Sequence, residues 1–251
     1  MRLALILEYE GTNYRGFQFQ TNANTIQEEL EKAIKRLTGR WARVSGAGRT
    51  DSGVHAAGQV VAFDTNSGHD TGTFFSGINY YLPNDIAVRS VYNVGDDFDP
   101  RRHAISRTYR YTILNRAGPS PLLRRNVYFI PTMLDVSAMQ EAALIFEGEH
   151  DFVRFSKVAT EKNVGTRRVI FKSNVKKCKD IVTFEIEGNS FLHHQVRRMV
   201  GSLTAVGRGV INVGEIKDMI NGRSRTVSRA LPPQGLCLMR VDYTNFPPEV
   251  D

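Results

Sequence analysis

From Ser45 to Asp64 a glycine-broken segment runs straight into an apolar one, and that junction constrains the fold more than any other feature of the chain. Gly46, Gly48, Gly53 and Gly58 punctuate the first part. Glycine permits sharp turns and close approach of another backbone or ligand, so this part predicts a loop. Val60-Val61-Ala62-Phe63 is short, apolar and bounded by Asp64 and Asn66, which predicts a buried strand. Arg49, Thr50 and Asp51 ride on the loop. Charged side chains on a loop held by a rigid strand are placed for chemistry as readily as for a polar turn.

Strand and helix patterns alternate on either side of this junction. Leu3 to Tyr9 predicts a strand, and the polar, aromatic-bearing stretch Gly11 to Gln20 reads as the end of a β-hairpin. Thr25 and Glu28 form a capping box for a helix whose apolar face is Ile26, Leu30, Ala33, Ile34 and Leu37, ended by Gly39. Thr65 to Thr73 reads as a surface loop, Phe74 to Tyr81 as a short helix stopped by Pro83, and Ile86 to Val94 as a strand. Pro100 to Arg107 is the candidate boundary between halves. Thr108 to Leu114 then alternates, turning Tyr109 and Tyr111 to one face and Arg110 to the other.

Val136 to Phe146 predicts a helix capped by Asp135, and Val169–Lys176 and Ile181–Gly188 predict an antiparallel pair. A helix over Phe191 to Val206, capped by Asn189 or Ser190, buries Leu192, Val196, Met199, Val200 and Leu203. On its wheel Arg197 flanks that stripe and Arg198 lies nearer the opposite face. Glu215 to Ile220 predicts a short helix and Gly235 to Tyr243 a final strand. The reading is an α+β chain of two sheet-and-helix halves, 1–104 and 105–251, meeting over a cleft.

A formal net charge of +7 favours a polyanionic partner. Distribution says more than the total. No Asp or Glu occurs between Asp99 and Asp135, where Arg101, Arg102, Arg107, Arg110, Arg116, Arg124 and Arg125 fall. Arginine forks match phosphate oxygens, so the cluster reads as phosphate contacts, Arg101, Arg102, Arg107 and Arg110 first among them. Cys178 and Cys237 are too few and too far apart for a disulfide framework, which favours a reducing compartment. The apolar Leu3 to Leu7 is interrupted at once by Glu8 and Glu10, so neither signal peptide nor membrane span is expected, and a cytoplasmic location is. No metal-ligand spacing and no phosphate-binding P-loop occurs, and His193 and His194 have no third ligand nearby in sequence. Metal binding is not expected, and a cofactor, if any, leaves no trace in the sequence.

Gly48-Arg49-Thr50-Asp51-x-Gly53-Val54-His55-Ala56-x-x-Gln59-Val60 resembles the catalytic motif of the TruA-type tRNA pseudouridine synthases. Gly16-Phe17-Gln18-x-Gln20, Leu82-Pro83-x-Asp85-Ile86, Tyr109-Arg110-Tyr111, the segment Phe191 to Arg197, and Gly235-Leu236 resemble further family segments, covering nearly the whole chain. The resemblance implies the pseudouridine synthase fold, a mixed and largely antiparallel sheet flanked by helices, with the active site between the halves. It also implies isomerisation of uridine to pseudouridine at positions 38, 39 and 40 of the tRNA anticodon arm, by a homodimer. Nothing is oxidised and nothing leaves in that reaction, so no cofactor is needed. Asp51 falls on the family's catalytic aspartate, which attacks C6 of the base or C1′ of the ribose. Arg197 falls on the arginine that pairs with it, and Tyr109 on the tyrosine that stacks on the extruded base. Arg49 enters the space the base leaves, Leu236 lines the base pocket, and Gln59 belongs to the substrate-binding set.

Two segments depart from the family pattern. Phe98-Asp99-Pro100-Arg101-Arg102-His103-Ala104 stands where Phe-His-Ala-Arg-Phe-Ser-Ala is usual, and Leu231-Pro232-Pro233 where Ala-Pro-Ala is. Neither is expected to touch Asp51, Tyr109 or Arg197. The alternative from another class is a non-catalytic RNA-binding or RNA-chaperone module.

Overall fold

The computed structural model describes residues 1–156, 165–224, 226 and 229–247. In chain order the strands are β1 (Arg2–Tyr9), β2 (Ser45–Gly46), β3 (His55–Asp64), β4 (Ile86–Val94), β5 (Ser106–Asn115), β6 (Tyr128–Ile130), β7 (Gly148–Asp151), β8 (Arg167–Cys178), β9 (Ile181–Gly188) and β10 (Leu236–Asp242). The helices are α1 (Ile26–Thr38), α2 (Thr71–Tyr81), α3 (Val136–Leu144), α4 (Gln195–Gly207) and α5 (Val213–Ile220). The class is α+β. Among the described residues no helix is long and apolar enough to cross a membrane.

Two compact units divide the chain, one of Met1–Ile105 with Leu238–Asp251 and one of Ser106–Cys237. The expected halves, 1–104 and 105–251, differ from these units at the C-terminus. There β10 lies beside β3 in the sheet, which carries the end of the chain back to the first unit.

In the first unit β1 runs antiparallel between β3 and β4, with Leu5 opposite Val61 on one side and Val91 on the other. Val60, Val61, Ala62 and Phe63 are all buried, as expected of an unbroken apolar run. Thr25 caps α1 by accepting from Glu28 N, and Gly39 ends it in the left-handed conformation. The buried face of α1 is Ile26, Leu30, Ala33 and Ile34. Helix α2 begins earlier than the apolar pattern suggests, because the Asp70 carboxylate accepts from Thr73 N at 2.7 Å. Phe74 then meets Phe63 edge to face at 5.9 Å.

In the second unit β9 pairs antiparallel with β5 and β8, β8 with β7, and the short β6 runs parallel to β5, so the sheet is mixed and largely antiparallel. Phe146, Phe152 and Phe155 form a buried aromatic cluster, and Met199, Val200 and Leu203 of α4 are fully buried. Each such side chain contributes about 1.5–3 kcal/mol by leaving water. Helix α4 starts at Gln195 and not at Phe191. His194 adopts a left-handed backbone conformation (φ 63°) and makes no side-chain cap, while the Gln195 side chain accepts from Leu192 N at 2.8 Å. The expected caps, Asn189 and Ser190, lie outside the helix.

Candidate active site

Asp51 lies half-buried in the loop between β2 and β3, and both of its neighbours are tied to one segment, residues 9–17. On one side the Thr50 hydroxyl is 2.9 Å from the Tyr9 hydroxyl, and the Thr50 carbonyl accepts from Phe17 N at 3.1 Å. On the other, the Tyr14 carbonyl accepts from the Ser52 hydroxyl at 3.2 Å and from Gly53 N at 3.3 Å. The turn is closed by Val54 N donating to the Asp51 carbonyl at 3.1 Å. Gly11 N donates to His55 Nδ1 at 3.0 Å, which makes that nitrogen the acceptor.

The stretch Gly11 to Gln20, expected as a hairpin end, is therefore a strap behind the Asp51 loop. Its alternation anchors it: Tyr14 and Phe17 are buried, while Thr12, Asn13 and Arg15 are exposed. Gly16 has φ +98°, and a Cβ there would stand 2.8 Å from the Thr50 carbonyl oxygen. Only glycine serves at that point. Gln59 is wholly buried and its Nε2 donates to the Gly48 carbonyl at 2.8 Å, so it holds the start of the loop from within the protein. Arg49, by contrast, is exposed.

In the second unit Tyr109 lies on β5 with its ring edge-on to Phe191, centroids 5.3 Å apart. Only 9% of Tyr109 is exposed, and its strand neighbour Tyr111 is fully buried. The Tyr111 hydroxyl donates to the Pro232 carbonyl at 2.8 Å. Burial pushes the Tyr111 phenol well above its ordinary range, with the charge of Arg197 opposing the shift, so the phenol is a donor at neutral pH. Replacing Tyr111 by Phe leaves that carbonyl without its donor, and a loss of about 1–2 kcal/mol is expected in urea unfolding.

Arg197 is half-buried on the first turn of α4. Its Nε donates to the Leu231 carbonyl at 2.7 Å, and Leu231 N donates to the Arg197 carbonyl at 3.1 Å. The expectation that the atypical Leu231-Pro232-Pro233 segment stands clear of the candidate residues is thus corrected. The segment grips Arg197 through the backbone of Leu231, a contact that does not depend on the identity of its side chains. Leu236, at the start of β10, is buried. His193 and His194 lie ring to ring, centroids 4.0 Å apart.

The four candidate phosphate contacts differ in presentation. Arg101 and Arg102 are exposed on a turn that Asp99 builds by accepting from their N–H groups at 2.8 and 3.0 Å. Burial pushes the Asp99 carboxyl upward, but those N–H groups outweigh it and hold the carboxyl below its ordinary range. Arg107 is buried and donates to the Asn189 carbonyl at 2.8 Å. Arg110 pairs at 2.8 Å with Glu185, directly across the β5–β9 ladder.

The tRNA pseudouridine synthase family model matches residues 5–101 and 142–244. The chain belongs to the tRNA pseudouridine synthase family. It is 44% identical over 240 residues to tRNA pseudouridine synthase A of Acetivibrio thermocellus, covering 95% of this chain and 98% of that protein. Identity is 41% over 242 residues to tRNA pseudouridine synthase A of Geotalea daltonii, covering 96% and 99%. A Thermoanaerobacter protein of the same name is 40% identical over 240 residues, covering 95% and 98%. Within this synthase family the match takes in Arg49, Asp51, Gln59, Arg197 and Leu236, whereas Tyr109 falls in the interval between the two matched stretches. The strap at Gly11–Gln20 also lies inside the match. Its buttressing role was missed because a polar, glycine-bearing run shows which residues turn outward and not which backbone lies behind them.

Proposed function

We propose that this chain isomerises uridine to pseudouridine at positions 38, 39 and 40 of the tRNA anticodon arm, with Asp51 as nucleophile. The supporting observation is the build of the Asp51 loop. Residues on both sides of Asp51 are fixed by backbone and hydroxyl contacts to a single strap, a placement suited to a reacting carboxylate. In the reaction the N1–C1′ bond breaks, the base turns, and a C5–C1′ bond forms. A proton leaves C5 and one arrives at N1, so the balance closes without a cofactor. Asp51 adds to C6 or to C1′ and departs when the new bond is made.

Arg197 supplies countercharge to the carboxylate in the RNA complex, and Tyr109 offers its ring to the extruded base, a contact worth about 1–3 kcal/mol. Arg49, exposed on the loop, takes the place the base vacates, Leu236 lines the base pocket, and the buried Gln59 serves substrate binding by holding the Gly48 end of the loop in place. Arg101 and Arg102 contact phosphates, with Arg107 and Arg110 contributing through the surfaces they brace. The enzyme works as a homodimer in the cytoplasm.

Release of tritium from C5-labelled uridine in unmodified tRNA tests this reading. Tight tRNA binding without release is the result a non-catalytic RNA-binding module would give. Affinity for tRNA is expected to fall with salt, log affinity against log salt having a slope of about −0.7 to −0.9 per phosphate neutralised, read by anisotropy titration. A flat response would contradict the phosphate contacts.

A further inference from the structure

Asp85 lies in the turn between α2 and β4 and has no role assigned above, yet it is tied at two points to the strap behind Asp51 and at a third to Glu10, the residue just before it. Its backbone carbonyl accepts from Glu10 N at 2.9 Å. Its carboxylate accepts from the Tyr14 hydroxyl through Oδ1 and from the Asn13 side-chain amide through Oδ2 at 3.3 Å. Tyr14 is the link. Its phenol end is held by Asp85, and its carbonyl end receives the hydroxyl of Ser52 and the N–H of Gly53, the two residues that follow Asp51.

We infer that Asp85 is a positioning residue for the Asp51 loop, acting through Tyr14 to fix the carboxylate in its reactive place. The chemistry favours a carboxylate there. A charged acceptor makes a stronger bond to a buried phenol than water or an amide does. Tyr14 is 3% exposed, so few other partners reach it. Burial first, and the Asp85 hydrogen bond second, keep the phenol protonated well above the ordinary range, so the bond persists across the working pH. Without the Asp85 carboxylate the phenol loses its charged partner, the strap gains freedom at Tyr14, and the Ser52 and Gly53 contacts move with it. A displacement of about 1 Å at a reacting group is enough to cost about 10²-fold in rate.

The inference rests on the proposed role of Asp51, and the test separates the two. Asp85→Ala, Asp85→Asn and Tyr14→Phe are compared by single-turnover tritium release and by tRNA affinity, with urea unfolding run alongside. Asp85→Ala is expected to lower the rate by about 10²-fold. Affinity for tRNA should stay within about twofold, because phosphate contacts set it. Asp85→Asn, which keeps a neutral acceptor for the phenol, should recover most of the rate, leaving a deficit of less than about tenfold. Tyr14→Phe preserves the ring packing and should lower the rate in the same direction. The double variant Asp85→Ala with Tyr14→Phe should be no slower than Asp85→Ala alone.

An unchanged rate per folded molecule, with only the unfolding midpoint lowered, would overturn the inference by reducing Asp85 to a stabilising contact. Additive losses in the double variant would overturn it too, since Asp85 would then not act through Tyr14. Full turnover by Asp51→Asn would instead remove the catalytic reading itself.

Discussion

Asp51→Asn is expected to abolish tritium release from C5-labelled uridine while leaving tRNA binding intact. The amide has the shape of the carboxylate but neither its charge nor its nucleophilicity, so the step that needs a covalent partner at C6 or C1′ has none. Removal of a nucleophile of this kind costs on the order of 10³-fold or more in rate. The fold of the loop should survive. Thr50, Ser52 and Gly53 are held to Tyr9, Tyr14 and Phe17 through backbone and hydroxyl groups, and Val54 N closes the turn on the Asp51 carbonyl. Affinity for tRNA should be equal or slightly higher, since one negative charge has been removed near a polyanion. A loss confined to turnover identifies Asp51 with the chemistry. A variant that turns over within about tenfold of the parent would remove it from that role.

Gly11→Ala is expected to have the next largest effect, by a different route. A Cβ at Gly11 would stand 2.0 Å from the Val54 carbonyl oxygen and 2.7 Å from its carbon. Backbone atoms cannot yield as the end of a flexible side chain can, so the strap and the loop must separate. Val54 donates the hydrogen bond that closes the turn at Asp51, and His55 accepts from Gly11 N itself. The strain should lower stability by about 1–3 kcal/mol, read from the urea midpoint. The displaced carboxylate should lower the single-turnover rate by about 10²-fold. Gly68→Ala is the control. Nothing lies within 4 Å of a Cβ at that exposed position, and neither quantity should change.

Much of the fold was legible where local chemistry decides structure. The apolar run Val60 to Phe63 lies in a buried strand, as its shortness, its β-branched valines and the glycine loop before it suggest. Thr25 and Glu28 marked the start of α1 because the hydroxyl has a free N–H to cap there. The alternation of Tyr109, Arg110 and Tyr111 separated buried from half-buried side chains correctly, and the partner of Arg110 is the residue across the ladder.

What escaped was decided by contacts distant in sequence. The return of β10 to the side of β3 depends on pairing that no window of sequence contains. Helix α4 starts late because His194 turns left-handed, and the apolar spacing of Phe191 and Leu192 continues through that turn without marking it. Asp70 caps α2 ahead of Thr71-Gly72-Thr73, residues too poor as helix formers to advertise the helix they begin. In the candidate site, residue identities alone singled out the loop that carries Asp51. The strap that holds it, and Leu231 gripping Arg197 by its backbone, are backbone contacts to which side-chain identity is nearly silent.

The most direct test is a nucleotide-resolved map of unmodified tRNA treated with this protein, read by carbodiimide-dependent stops of reverse transcription. Stops at positions 38, 39 and 40 with the parent chain, and none with Asp51→Asn, are the predicted result. Stops made equally well by Asp51→Asn, or no stops in the anticodon arm from the parent, would contradict the assignment.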